Sequence, residues 1–453
     1  MLSNYKNTFW VLHLLIAIAI LVTPATVVAW YGVSLIIALS VLLRTKNLSQ
    51  NLTVFMVYFA GMEMVIKLMS VGLPHEGIKY TCILLILVAL LRSHSKINRY
   101  WPVGLIFLLL ISIPFGLGQV NTERFRQLLS ANLSGPVLLF LGLFYYLRVQ
   151  VFDKKSISNF LLAFVLPSLV TTILLFIVTP NVESISFSTN ANFSASGYGP
   201  NQMSSALGIA ATFLVFSILY DYKIVPTKWL ALLLIGLITY RIVLTFSRGG
   251  LFTLLLLTII MIVLYLRNDN VSVIRRLWIT SLVTTGLITG GIFLFNNVNS
   301  ISGGALEDRL FGEKQADGLV DFNDYSSGRL AILYTDLEIF SDNLMGIGPG
   351  MGYYVRKDYG YRVNVSAHIE YTRLLAEHGI FGFIVLLGLL KHAYQVLFTR
   401  CNSHYKTLLI IFLGTAMLFM AHSATRIAAP MILFALTAAF LPKFRSDQLK
   451  LYE

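Results

Sequence analysis

An all-α polytopic membrane protein, with about 12 to 14 transmembrane helices and one large, partly helical outer loop, is the fold this chain predicts. Three observations carry that expectation. Of its 453 residues, 57% are hydrophobic and only 12% charged, where a soluble domain is about a quarter charged. Mean hydropathy is +0.76, and apolar runs of spanning length recur from the first residues to the last. Lys and Arg gather in alternate connections between those runs. Too few charges remain to solvate a globule of this size, which excludes a water-soluble enzyme.

The runs fall at about 8–23, 25–43, 52–72, 78–91, 101–117, 132–151, 157–179, 201–220, 228–247, 249–266, 276–296, 378–398, 406–421 and 427–442. Lys6 before the first run and the small residues after it fit a signal peptide. A second apolar run follows at once, however, so the first is read as an uncleaved spanning helix. With alternating sides, Arg44, Lys46, Arg92, Lys96, Arg99, Arg148, Lys154, Lys155, Lys223, Lys228, Arg267, Arg275, Arg276, Arg400 and Lys406 fall on one face. The tail residues Lys443, Arg445 and Lys450 join them, and the positive-inside rule makes that face cytoplasmic. Both termini are then cytoplasmic. The net charge of +13 becomes mainly a topology signal; membrane lipids are expected as partners and nucleic acid is not.

Three divisions follow: 1–296 carries the first eleven helices, 297–377 an outer, periplasmic loop, and 378–453 the last helices and a cytoplasmic tail. A connection as long as 297–377 is too large to be idle, and helical apolar spacing recurs within it at Gly328–Phe340 and Ala367–Ala376. Cys82 lies in an apolar run and Cys401 in a basic loop, so neither a disulfide nor a zinc site is expected.

Ionisable groups inside spanning runs are functional candidates by default, since each costs at least about 2.5 kcal/mol near the bilayer centre. Glu63 and Lys67 are four apart and read as a structural pair; Lys391 reads as a snorkelling lysine. Arg241 and Arg248 are seven apart, nearly two turns, and would share a face if the helix ran on through Ser247. Two guanidinium groups in line at the outer end of a helix suit a diphosphate. The bland alternative is an Arg248 touching lipid phosphate and an Arg241 paired with an acid. Arg426, in the outer turn between the last two helices, is either a third charge of the same cavity or a snorkelling residue.

Gly346-Ile-Gly-Pro-Gly-Met-Gly352 matches neither a dinucleotide fingerprint nor a P-loop and reads as a flexible turn near a substrate. Asp317, Asp321, Asn323 and Asp324 lack the spacing of a calcium loop, so no metal and no cofactor is expected. If Ser366 caps a helix, His368 falls in its first turn, where the helix terminus favours a neutral imidazole able to take a proton from a sugar hydroxyl. Glu370, Arg373, Glu377 and His378 are candidates for orienting it; a lone histidine is, against this, usually structural.

Four pieces stand in one order: Gly199-Pro-Asn201, Thr245-Phe-Ser-Arg-Gly249, Ser327-Gly-Arg329 with Gly346-Ile-Gly-Pro-Gly350, and Ala367-His-Ile-Glu-Tyr-Thr-Arg-Leu-Leu-Ala-Glu-His-Gly379. In that order and topology the chain resembles the O-antigen ligase family of bacterial membrane proteins, which also includes O-antigen and exopolysaccharide polymerases. The resemblance spans about half of the chain, from residue 199 onward. It implies a GT-C-like, metal-independent, inverting glycosyltransferase facing the periplasm, with an undecaprenyl-diphosphate-linked glycan as donor and lipid A-core, or a second lipid-linked glycan, as acceptor. It implies His368 as the base and Arg248 and Arg329 as diphosphate ligands; Arg241 and Arg426 match no motif and rest on the physical argument alone. Here Ile369 follows the histidine, where the family often has Asn or Ser. The ligase reading leads, a polymerase is the alternative, and a flippase of the same lipid-linked sugar is the alternative from another class, though the two related halves with broken helices that it favours are not seen.

Overall fold

A computed structural model describes residues 6–93, 99–149, 152–179, 199–267, 271–304, 306–307, 311, 328–361, 367–423 and 425–441. Among these residues every regular element is helical, as a chain immersed in lipid requires, because a helix satisfies its own backbone polar groups. The chain is an all-α polytopic membrane protein, and each of the fourteen apolar runs falls on a helix. In order they are α1 (Lys6–Val22), α2 (Thr26–Arg44), α3 (Leu48–Met69), α4 (Gly77–Arg92), α5 (Trp101–Ile111, prolonged by a 3-10 turn at Ile113–Gly116), α6 (Thr122–Tyr146) and α7 (Lys154–Val178). Then follow α8 (Pro200–Leu219), α9 (Lys228–Leu244), α10 (Arg248–Leu266) and α11 (Val273–Ile301). The connection after α11 contributes α12 (Arg329–Asp342) and a helical turn at Gly352–Val355, before α13 (Glu370–Phe398), α14 (Ser403–His422) and α15 (Ala428–Leu436). Among the described residues, nine helices are long and apolar enough to cross a membrane by themselves.

Polar side chains set several of the helix starts. Asn121 accepts a hydrogen bond from the amide of Arg124, Asp153 from that of Ser156, and Thr227 from that of Leu230, so each satisfies an amide that has no partner in the first turn. The centre of the bundle is α8, buried from Gln202 to Leu219 and packed against α7, α9 and α10. Helix α3 lies along α7, and α15 packs on α6, α14 and α3. By contrast α11 buries only Ile279, Val283 and Val298, leaving most of its apolar surface turned outward, as a lipid-facing helix does.

One expectation about the loop needs correction. Helix α13 starts at Glu370, with Ile369 at its cap and no side-chain cap bond, so His368 stands before the helix and not in its first turn; Ser366 lies outside the described residues. Gly379, whose φ of 59° and ψ of −137° are not helical, breaks α13 into two helical segments one residue beyond the expected division at 377/378.

Candidate active site

Four segments meet at one end of the bundle. Ser247 donates to Asn201 Oδ1 at 2.8 Å, which joins the first residues of α8 to the α9–α10 turn. His422, at the end of α14, is hydrogen-bonded to Ser205 of α8 at 2.9 Å and, through Nδ1, to the Leu418 carbonyl at 2.7 Å. Gly249 and Gly250 permit this closeness: a Cβ on the first would overlap the His422 ring, and one on the second would overlap Ser204. Hence the glycines after Arg248 are packing residues that let the start of α10 abut α8 and α14.

The geometry overturns the alignment of Arg241 with Arg248. Helix α9 ends at Leu244, Phe246 has a φ of 53°, and Ser247 is extended before α10 begins at Arg248. The continuous helix that would put both guanidinium groups on one face is therefore absent. Arg241 instead donates to Thr179 Oγ1 at 2.7 Å and lies over the Phe176 ring at 5.3 Å, at the end of α7. Arg248, half-buried, stays at the meeting point.

His368 sits in the centre of a cationic group. Arg426 donates to the carbonyl of the preceding residue, Ala367, at 2.8 Å, which brings its guanidinium beside the imidazole. Burial first, then the charges of Arg426 and Arg329, push the imidazole down to about 3, so it is neutral at ordinary pH. Its Nδ1 is buried and has no hydrogen-bond partner among the described residues. Arg329 opens α12 directly after Gly328, whose φ of 73° turns the chain into the helix. Of the five residues singled out in the sequence, His368, Arg329 and Arg426 are brought together, Arg248 adjoins through the Gly249–His422 contact, and Arg241 is elsewhere.

Glu63 and Lys67 do form the expected pair, at 2.7 Å and buried, and they also reach this site. Lys67 donates to the Arg426 carbonyl at 3.2 Å, while Glu63 accepts from the Ala428 amide, the first of α15, at 2.7 Å. Both ends of the Arg426 turn are thus fixed to α3, and Arg426 in turn holds the backbone next to His368. This chain of contacts runs between residues more than 350 positions apart, and nothing in the local sequence signals it.

The residues expected to orient His368 are used otherwise. Arg373 is buried between Glu370 and Glu377, and also donates to Asn132 Oδ1 at 2.7 Å. His378 is hydrogen-bonded to Ser112 at 2.6 Å, one residue before the kink. A second buried pair, Asp336 with Arg356 at 2.7 Å, accepts from Thr372 at 3.0 Å and ties α12 to α13. The Gly346–Gly350 segment is likewise no loose turn. It is buried, Ile347 and Gly348 donate to the carbonyls of Ala376 and Glu377, and a Cβ on Gly346 would strike that backbone. The acids Asp317, Asp321 and Asp324 lie outside the described residues. Among those described, no group of His, Cys, Asp and Glu has the arrangement of a metal site.

Two cavities adjoin. A polar one of about 600 Å³ reaches Arg426 and Ala367 and is also lined by Glu76, Tyr80, Arg124 and Asn132. Arg124 and the Glu76–Lys79 pair, 2.5 Å apart, escaped the sequence reading, although two opposite charges three residues apart at the start of α4 were visible there. The other, of about 850 Å³ and almost wholly apolar, opens between α9, α10 and α11 and runs along Leu251, Leu254 and Ile292.

A multi-pass membrane protein with an imidazole and several arginines gathered at one end of its bundle is the class that fold and site define. Residues 233–387 match the family model of O-antigen ligase, and the matched stretch runs from within α9 to within α13, so it contains Arg248, Arg329 and His368. On this stretch, about a third of the chain, the sequence is similar to the O-antigen ligase family. Neither the curated proteins nor the solved structures give a match.

Proposed function

We propose that this protein transfers a glycan from undecaprenyl diphosphate to a hydroxyl of lipid A-core, on the periplasmic side of the inner membrane and without a metal. The observation that carries the reading is the neutral, half-buried imidazole of His368 set among Arg426 and Arg329. A glycosyl diphosphate already has a good leaving group; what remains is to hold the anion, place the acceptor and remove its proton. The arginines take the diphosphate, with Arg248 and Arg329 as its principal ligands and Arg426 at its edge. The acceptor oxygen attacks the anomeric carbon from the opposite side, the bond to the diphosphate oxygen breaks, and the hydroxyl proton goes to His368. The anomeric centre is inverted and undecaprenyl diphosphate leaves. Arg241, which the α7 contacts hold apart, has no part in this step.

The surroundings give the base a condition. An imidazole held near 3 is a weak acceptor; burial is the larger cause, and the positive charges of Arg426 and Arg329 add to it. A bound diphosphate offsets the charges of Arg426 and Arg329 and so raises the basicity of His368 when the donor is in place. The polar cavity beside Ala367 suits the acceptor sugars, and the apolar cleft along α10 and α11 suits the polyprenyl tail.

The reading is tested by supplying purified protein with lipid-linked donor and either lipid A-core or further donor. Glycan joined to core is the expected product. Lengthening of lipid-linked chains in the absence of core would make the protein a polymerase instead.

A further inference from the structure

The other end of the bundle holds a second polar cavity that the transfer reaction does not use. Helices α8 and α14 are each 20 residues long, about 30 Å. Their ends near His422 belong to the site above, and their other ends, Leu219 and Ser403, line this cavity of about 310 Å³. Its walls also include Lys154 from α7, Asp221 and Tyr222 from the α8–α9 turn, Tyr265 from α10 and Arg275 from α11.

Four of these residues, Lys154, Arg275, Tyr222 and Tyr265, offer hydrogen-bond donors to the cavity. Tyr222 and Tyr265 are 4% and 1% exposed, and neither hydroxyl has a hydrogen-bond partner among the described residues. A buried hydroxyl left unmatched costs about 1–3 kcal/mol, so two in one cavity are a cost that a ligand would remove. Lys154 lies over the Tyr222 ring at 5.2 Å, and Arg275 and Asp221 are near enough to act on the Tyr265 hydroxyl. Asp221 is already shared, at 3.4 Å from Lys228 and 3.9 Å from Arg275, so its charge is offset. Helix α14 starts at this cavity with Asn402 making no side-chain cap bond, which leaves first-turn amides directed at it.

We propose that this cavity binds a phosphate group, with Lys154 and Arg275 supplying charge, Tyr222 and Tyr265 their hydroxyl protons, and the start of α14 its amides. A tetrahedral oxyanion accepts from all of these at once, which neither a cation nor a neutral sugar does. The phosphate is carried either by an anionic lipid of the adjoining leaflet or by a soluble ester, and the two are separated by experiment.

The full-length protein is placed in nanodiscs of phosphatidylcholine, with phosphatidylglycerol added in one series and inorganic phosphate in another. Bound lipid is counted by native mass spectrometry, and phosphate binding is read from the melting temperature against chloride at equal ionic strength. Retention of phosphatidylglycerol alone identifies a lipid site, and stabilisation by phosphate alone a soluble-ester site; either supports the proposal. The double variant Lys154→Gln, Arg275→Gln should weaken whichever is bound by about tenfold or more, and Tyr222→Phe should weaken it less, with melting in phosphatidylcholine and glycan transfer retained in both. Lys46→Gln, an exposed charge outside the cavity, should change nothing. No binding of either probe, or equal weakening by Lys46→Gln, would overturn the site.

Discussion

His368 and His378 lie ten residues apart around the start of one helix, and they differ in burial and in what holds them. His378 is fully buried on α13 and held by Ser112 at the Gly379 kink. His368 stands before the helix and is only half-buried, with the charges of Arg426 and Arg329 about it; each imidazole keeps one nitrogen that finds no partner among the described residues. The arginines divide the same way. Arg373 is taken up by two carboxylates and an asparagine, whereas Arg426 rests on a neutral carbonyl, Ala367. In this motif, then, the second histidine, the acids and Arg373 build the platform on which the proposed role of the first histidine depends. A charge already matched by buried carboxylates, as that of Arg373 is, has little to offer a substrate.

The contrast is broken most severely by Arg373→Ala. Two buried carboxylates lose their counter-charge, an effect of about 3–5 kcal/mol, and the expected outcome is loss of folded protein in detergent, followed by melting temperature. His368→Ala should leave melting nearly unchanged and remove turnover; a joint loss of both would dissolve the distinction. Lys67→Met tests the support behind the site. It should lower kcat about 10- to 100-fold by freeing the Arg426 turn, in keeping with the cost of a misplaced group, while donor affinity falls less. His378→Asn should cost about 1–2 kcal/mol of stability and leave kcat within a few-fold.

The pH dependence sharpens the same comparison. Because His368 is depressed to about 3, the free enzyme stays competent well below the usual histidine range, and kcat/KM should hold down to about pH 4. In the donor complex the bound anion raises the imidazole, so the acid limb of kcat should lie at higher pH than that of kcat/KM. The stability sign runs oppositely to that of a histidine with an acidic partner. The unfolded imidazole takes up a proton as pH falls through about 6.5 while the folded one does not until about 3, so stability contributed by the neutral form is lost across that interval.

Much of the fold was legible because lipid makes apolar length and period nearly sufficient: all fourteen runs became helices, and Glu63 with Lys67 became the pair their spacing suggested. The motif residues His368, Arg329 and Arg248 could be named from their local pattern. What failed depended on backbone direction or on distant partners. The spacing of Arg241 and Arg248 presumed a helix that Phe246 and Ser247 interrupt. The acids near His368 looked available because Arg373 and Asn132, 241 residues apart, are joined only by the fold. The glycines at 346–350 looked like a loose turn, and their role as a tight surface for the α13 kink needed the coordinates.

The central claim is that His368 serves the transfer step and not the fold. Its most direct test is single-turnover transfer by purified His368→Ala, with donor affinity measured on the same sample. Donor binding close to that of the unaltered protein, with no glycan joined to the acceptor, is the expected result. Transfer at an undiminished rate would contradict the assignment.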